Sequence, residues 1–234
     1  PDGGRINVQV DSNSPIIVPT HSDEHGLIHT RVEVPEGSHR LSLSPFGDGE
    51  IRLFGVSAER SGPGVLVDSI GIRGREARTW LRWNGQLLAQ SLGVLRPDIL
   101  VLAYGTNEAN SIDYKMEHYR RDLRKVLTKA RSILPAQPCI LVGPSDRAVV
   151  KKKNRYLVWQ RTAMVAQVQR EIAPEFGCVF WDWQQATGGE GSMVAWWKAE
   201  PSLASKDLIH FSAAGYIHSA EHFVSALDDV LQNY

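Results

Sequence analysis

An aspartate and a histidine stand three residues apart in Asp207-Leu208-Ile209-His210, just ahead of a segment with helical periodicity from Ala213 to Leu231. On a loop entering a helix, such a carboxylate can fix the tautomer of the imidazole and steady its protonated form. The histidine is then free to act as a general base. Two other segments hold groups that could face a developing negative charge. In Asp68-Ser69-Ile70-Gly71-Ile72-Arg73-Gly74 the glycines allow a close backbone approach and can aim an amide N–H at a ligand. The same glycines also suit a tight connection between a strand and a helix. In Tyr104-Gly105-Thr106-Asn107-Glu108 the Asn107 amide can point at an oxyanion or cap the next helix.

The surrounding pattern says which elements must position these groups. Up to about residue 62, apolar residues alternate with polar ones in Ile6–Val10, Thr30–Val34, Arg40–Leu43 and Ile51–Val56. Period-2 alternation broken by Pro35-Glu36-Gly37 and Gly47-Asp48-Gly49 predicts half-buried antiparallel strands. Four or five strands are few for a complete sandwich. After Ser61-Gly62-Pro63-Gly64 strands alternate with helices. Val65–Val67, Ile99–Ala103, Cys139–Val142 and Cys178–Trp181 are predicted strands, with Ile99–Ala103 buried on both faces. Apolar spacing predicts helices over Arg75–Leu92, Met116–Ala130, Asn154–Ile172 and Ala213–Leu231. This alternation predicts an α/β fold with a parallel sheet covered by helices, whose active site lies at the carboxyl ends of the strands. Each of the three chemical segments follows or faces such an end.

Composition excludes several function classes. The 234 residues carry 26 basic and 26 acidic side chains, 42% hydrophobic residues and two cysteines. Zero formal charge argues against a nucleic-acid coat, and two cysteines against a disulfide scaffold. No apolar run is long enough to span a bilayer, and no secretory signal opens the chain. The start, Pro1-Asp2-Gly3-Gly4, lacks Met, which predicts a processed product or a fragment.

Taken together, the chain resembles the SGNH (GDSL-type) hydrolases over about residues 63–234. Gly74 matches the oxyanion glycine of that family's second block. Gly105-Thr106-Asn107-Glu108 is similar to its third block, Gly-x-Asn-Asp, with Glu108 where aspartate is usual. Asp207-Leu208-Ile209-His210 matches its fifth block, Asp-x-x-His. Val67–Gly74, Leu102–Glu108 and Gly188-Gly189-Glu190-Gly191-Ser192-Met193 look like the peptidoglycan O-acetylesterase branch, in which a carbohydrate-binding-like β-sandwich is inserted after the first block. The resemblance implies a three-layer, flavodoxin-like hydrolase domain over 63–234, preceded by part of that sandwich over 1–62. It implies removal of O-acetyl groups from peptidoglycan or another polysaccharide, outside the cytoplasm, in the periplasm or beyond the cell. His210 would be the base, Asp207 its orienter, and Gly74 and Asn107 the oxyanion donors. No metal or organic cofactor is implied. The partner would be an acetylated glycan or other ester, not nucleic acid or a membrane.

The family's nucleophile is the serine of a Gly-Asp-Ser block on the first strand, and these residues contain neither that block nor a Gly-x-Ser-x-Gly elbow. Ser69 is the nearest substitute, in Val67-Asp68-Ser69-Ile70, with Val67 where glycine belongs. Only 38 positions separate it from Asn107, too few for another strand with its own oxyanion glycine; the 33 from Gly74 to Asn107 suit the second-to-third block interval. The expectation is therefore an upstream segment carrying the first strand and the nucleophile. The alternatives are a glycan-binding protein that lost its serine, or an acetyltransferase using the same triad.

Other motifs read more simply. His218-Ser219-Ala220-Glu221-His222 has the spacing of an inverted zinc-protease helix, but no third ligand follows it, so helix-surface residues are expected. His21, His25 and His29 read as surface loop. Arg147, Lys151, Lys152, Lys153 and Arg155 form a basic patch, suited to a solvated loop or to contact with an anionic glycan or phosphate. Trp181 and Trp183 are expected on opposite faces of a strand, one lining a cleft, and Trp196 or Trp197 could meet a sugar ring. Cys139 and Cys178 are expected as buried thiols, with a disulfide only if their Cα atoms lie within about 7 Å.

Overall fold

The structure, a computed structural model, describes residues 3–151 and 155–232. The chain forms two compact units: residues 1–71 with 84–96, and residues 72–83 with 97–234.

The first unit is built on an antiparallel sheet of β1 (Arg5–Val10), β2 (Ile16–Pro19) and β3 (Leu41–Pro45), in the order β2-β1-β3. Asn7 faces Ile17 on one side and Ser44 on the other. The Asp48 carboxylate accepts from the Arg5 amide at 2.8 Å and from Arg5 Nε at 2.6 Å, tying the start of β1 to the turn beyond β3. The predicted strands Thr30–Val34 and Ile51–Val56 are irregular, and β2 was not anticipated. A strand needs a neighbour for its backbone N–H and C=O groups, and neither segment has one among the described residues. The same applies to Val65–Val67: the expected strand is irregular backbone, with Val65 88% and Val67 86% exposed.

The predicted helix Arg75–Leu92 is two elements. A 3-10 turn covers Ala77–Arg82, and α1 covers Gly85–Leu95. Asn84 breaks the run: its side-chain oxygen accepts from the Leu87 amide at 3.0 Å, and this cap holds its own backbone extended. The α1 helix belongs to the first unit, where the Leu27 amide donates to Gln90 Oε1 at 2.9 Å.

The second unit is the α/β part. Its parallel sheet runs β4 (Leu100–Ala103), β5 (Cys139–Val142), β8 (Cys178–Trp181), with β5 in the middle and buried throughout. Between β4 and β5 lie α2 (Thr106–Asn110) and α3 (Met116–Ile133). Between β5 and β8 lie a hairpin of β6 (Ala148–Lys151) and β7 (Arg155–Val158), then α4 (Arg161–Ile172) and a 3-10 turn, Ala173–Phe176. After β8 come α5 (Trp183–Ala186), α6 (Ser192–Lys198) and α7 (Ala213–Gln232). The apolar stripe of α3, with Tyr119, Leu123, Val126 and Leu127 all buried, packs against α4 and the first 3-10 turn.

Two expectations are corrected here. The helix predicted from Asn154 begins at Arg161, because Val149, Val150, Tyr156 and Val158 favour the pleated hairpin that precedes it. Asn154, Lys152 and Lys153 lie outside the described residues. And β4 is not buried on both faces: Leu102 is buried while Val101 is 43% exposed, and β4 pairs only with β5 among the described residues.

The cysteines are not free. Cys139 and Cys178 are directly opposed across β5 and β8, their Cα atoms 4.5 Å apart, and form a disulfide. Parallel register places them side by side, which strand prediction alone could not fix. The bond closes a 39-residue stretch holding the hairpin and α4. Loop-entropy arguments put its contribution at about 2–4 kcal/mol. Replacing both cysteines by alanine is therefore expected to lower Tm by roughly 5–15 °C. Calorimetry of the variant, and of the parent with and without reductant, checks this; an unchanged Tm in both would remove the staple.

Candidate active site

The Asp–His pair is set by a buried leucine between its members. Leu208 is 1% exposed and packs in a cluster with Ala148, Met193, Ala204 and Phe211. Its backbone sits in the left-handed region, φ 57°, which is strained for a branched side chain. The turn is closed by two backbone bonds, Leu208 N–H to Ser205 O at 3.0 Å and Ser205 N–H to His210 O at 2.8 Å. Driving Leu208 inward swings Asp207 and His210 outward on the same side. His210 Nδ1 and Asp207 Oδ2 are 2.7 Å apart, and Asp207 Oδ1 accepts the amides of Ile209 and His210, each at 3.0 Å. Partial burial pushes the Asp207 pKa up, but the His210 amide, the His210 ring and the Ile209 amide outweigh it and hold the carboxyl below its usual range. An ionised Asp207 on Nδ1 leaves Nε2 of the exposed imidazole as the basic nitrogen.

The α7 helix starts immediately after the pair. Gly215 lets its first turn lie against the Leu203 carbonyl: a Cβ there would be 1.8 Å from that oxygen. Ser212 N–H donates to the same carbonyl at 3.0 Å, so the loop is clamped at both ends.

Asn107 sits at the carboxyl end of β4, in the first turn of α2. This helix has five residues and cannot hold itself. Long-range bonds hold it instead. Gly105, φ 134°, starts it against Pro144, whose Cδ would be 2.6 Å from an added Cβ. Its end and the turn after it are held from the region around α4: Trp159 Nε1 donates to Ala109 O at 2.7 Å, and Arg161 Nη2 to Ser111 O at 2.8 Å and Tyr114 O at 2.9 Å, just beyond the helix. Asn107 Nδ2 donates to Arg75 O at 3.0 Å, the residue after Gly74. That bond orients the amide and uses one of its two N–H groups. Gly74 itself adopts φ 73°, with nothing within 4 Å of where a side chain would start. The structure thus brings Gly74 and Asn107 together.

The segment after β5 joins these two halves. Asp146, 1% exposed, accepts Gln184 Nε2 at 2.8 Å, Gly191 N–H at 3.0 Å and Met193 N–H at 3.1 Å, pinning the start of α6. Arg147 Nη1 donates to Asn110 Oδ1 at 3.0 Å, at the far end of α2. Ala148 N–H donates to Leu208 O at 3.1 Å, inside the Asp–His loop. Asp146, Trp159 and Arg161 carry no local signal beyond the position of Asp146 after a buried strand, and their partners lie far away in the chain.

The remaining candidates are placed as follows. Ser69 is exposed, in irregular backbone, and belongs to the first unit, whereas Gly74, Asn107, Asp207 and His210 belong to the second. Trp183 is not on a strand but opens α5. Its ring lies 6.2 Å from that of Trp181, so the two do not face opposite ways as expected. Trp196 packs on Phe211 and His218, and Trp197 on Tyr156. The rings of His218 and His222 are 4.8 Å apart on α7, and among the described residues no three His, Cys, Asp or Glu side chains gather to hold a metal ion.

Glu108 explains the departure from the Gly-x-Asn-Asp pattern. Its side chain is buried, Oε1 accepts the Ala77 amide at 2.7 Å, and Oε2 has no hydrogen-bond partner. Burial pushes its pKa up to about 6 against hydrogen bonds that lower it. The folded state then holds the proton more tightly than the unfolded chain, so this group's contribution is full below about 4.5 and is lost as pH rises towards 6. Above that, ionised Glu108 costs on the order of 2 kcal/mol. Glu108→Gln is expected to raise Tm relative to the parent at pH 8 and to lose that advantage near pH 4.5; thermal melts at both values check it.

Residues 47–217 match the model of the GDSL-like lipase/acylhydrolase family. No match was found among curated proteins. Among solved structures, a peptidoglycan O-acetylesterase superposes with a TM-score of 0.69 at 21% identity, over 99% of this chain. The chain spans 66% of that protein's length. An acetyl-xylooligosaccharide esterase from Geobacillus, crystallised as a variant, superposes at 0.46 with 22% identity, over 65% of this chain and 67% of its own.

Proposed function

The chain belongs to the GDSL-like lipase/acylhydrolase family, and from that premise we propose that its second unit is the acid–base half of a serine esterase that removes O-acetyl groups from a polysaccharide. The observation that carries this is the Asp207–His210 pair, locked by Leu208 and tied through Ala148 and Arg147 to the helix of Asn107. His210 takes the proton of an attacking serine and returns it to the leaving sugar hydroxyl. Asp207 holds its tautomer. The Gly74 amide and the second N–H of Asn107 receive the carbonyl oxygen as it gains charge.

The serine comes from a segment upstream in the same protein. The β4 edge supports this, since among the described residues β4 pairs only with β5, and Ile99 and Val101 are half exposed beside it. So does α7, where Ile217, Ala220 and Val224 form an exposed apolar stripe. A strand followed by a helix would cover both. Residues 1–62 are then part of a carbohydrate-binding-like sandwich that the upstream segment completes. The Cys139–Cys178 disulfide favours an oxidising setting, in the periplasm or outside the cell.

Hydrolysis of p-nitrophenyl acetate tests the reading. The 234-residue chain is expected to show no turnover that depends on His210. The same chain with its upstream sequence restored should turn over, falling by at least about a thousandfold in His210→Ala and remaining unchanged in Ser69→Ala. Activity in the 234-residue chain that is lost in both variants would make Ser69 the nucleophile and overturn the upstream assignment.

A further inference from the structure

Arg147 is a charged group near Asp207 that takes part in no chemical step of the proposed mechanism. It follows β5, and its guanidinium is half-buried between the helix of Asn107 and the Asp–His loop. Nη1 donates to Asn110 Oδ1 at 3.0 Å, and Cζ lies 5.2 Å from the centre of the Trp159 ring. Nε is buried and has no acceptor among the described residues. Asp207 is close enough for its charge to favour the charged guanidinium, yet no hydrogen bond joins the two, and burial outweighs that attraction and pushes the Arg147 pKa down. A desolvated donor left without a partner is destabilising, the more so when it is charged. An aliphatic side chain could cover Trp159 without that penalty. A guanidinium seated on an indole, with its fork held at one corner only, is instead suited to a planar anion.

The neighbourhood repeats the chemistry. From Arg147 to Arg170 the chain has no acidic residue. The hairpin that starts at Ala148 carries Tyr156, whose ring lies 5.7 Å from Trp197 and 5.2 Å from Lys198 Nζ. Aromatic faces beside cations suit a sugar that bears a negative charge.

We propose that Arg147 is the specificity residue of this site and binds the carboxylate of an acidic sugar in the substrate, which restricts the substrate class to anionic glycans. The proposal rests on the esterase reading above and names the charge that the site selects. The carboxylate could sit on a lactyl ether or on a uronic acid, and the test separates these sources.

Tryptophan fluorescence and calorimetry would follow binding of two matched pairs: N-acetylmuramic acid against N-acetylglucosamine, and glucuronic acid against glucose. At low salt at least one acid is expected to bind about tenfold more tightly than its neutral partner, and that advantage should shrink at about 0.5 M salt. The pair that shows it identifies the source of the carboxylate. Arg147→Gln should bring the acid down to the neutral sugar, and Arg147→Lys, which keeps charge without the fork, should fall between. Circular dichroism confirms that each variant is folded. The preference should survive His210→Ala, which removes hydrolysis alone. A charge preference without any esterase activity would therefore sink the enzymatic reading and leave Arg147 standing. Equal affinity within both pairs, no binding of either acid at millimolar concentration, or a preference untouched by Arg147→Gln would overturn the assignment of Arg147.

Discussion

The geometry of this site hangs on burying one leucine in an unfavourable backbone conformation. Leu208 with φ 57° costs on the order of 1–2 kcal/mol, and full burial of its side chain returns a similar or larger amount. The balance holds only while the cluster around it is intact. Ala148, Met193 and Phe211 line that cluster, and each comes from a different part of the chain. An Asp-x-x-His written into an isolated loop would sample many turns. Here the core selects the one in which both polar side chains face outward and Asp207 also caps the amides of Ile209 and His210. The apolar residue between the pair is thus as much a part of the dyad as its two polar members.

The same cluster depends on three consecutive residues after β5 that reach in different directions. Asp146 turns inward and gathers three N–H donors, one from Gln184 on α5 and two that fix the start of α6, which delivers Met193 to the Leu208 cluster and Trp196 to Phe211. Arg147 reaches towards α2, and Ala148 bonds the Asp–His loop directly. A buried carboxylate is tolerable there because three donors satisfy it, at the positive end of a short helix. Rigidity at the end of the central strand is in this way passed to two loops that are far apart in sequence.

What the sequence disclosed follows the range of the interactions involved. Strands Ile99–Ala103, Cys139–Val142 and Cys178–Trp181 were legible because each is a short local run of apolar residues, although only Cys139–Val142 is buried throughout, and helices α3 and α7 because their stripes are periodic. The Asp207–His210 contact was legible because it spans three residues. The segment Arg155–Val158 was misread as the start of the following helix because a four-residue β-forming run directly ahead of the amphipathic α4 has no periodicity long enough to tell the two apart. The disulfide was not legible, since it depends on which strands are neighbours and on their register. Trp181 and Trp183 were misassigned because residues two apart on a strand share a face rather than opposing each other, and because β8 ends at Trp181, where Asp182 caps a helix and turns the chain.

Asn107 shows how far a local motif can go before the fold must complete it. The residue type and its place after β4 were readable, but an amide on a five-residue helix has no fixed direction of its own. Direction comes from Arg75 O, which takes one N–H and leaves the other pointing elsewhere, and from Trp159 and Arg161, which hold the helix against rotation. Glu108, the next residue, contributes through Ala77: its carboxyl carries the segment just after Gly74 and Arg75 on the same helix that carries Asn107. Glutamate is one methylene longer than the aspartate of the familiar pattern, and that extra reach is what its contact with the Ala77 amide uses. Gly74 and Asn107, the proposed oxyanion donors, are therefore coupled through a buried carboxyl rather than placed independently. Preorganisation of this kind matters most for a group that must meet charge only as it develops, because any reorientation at that moment would add to the barrier.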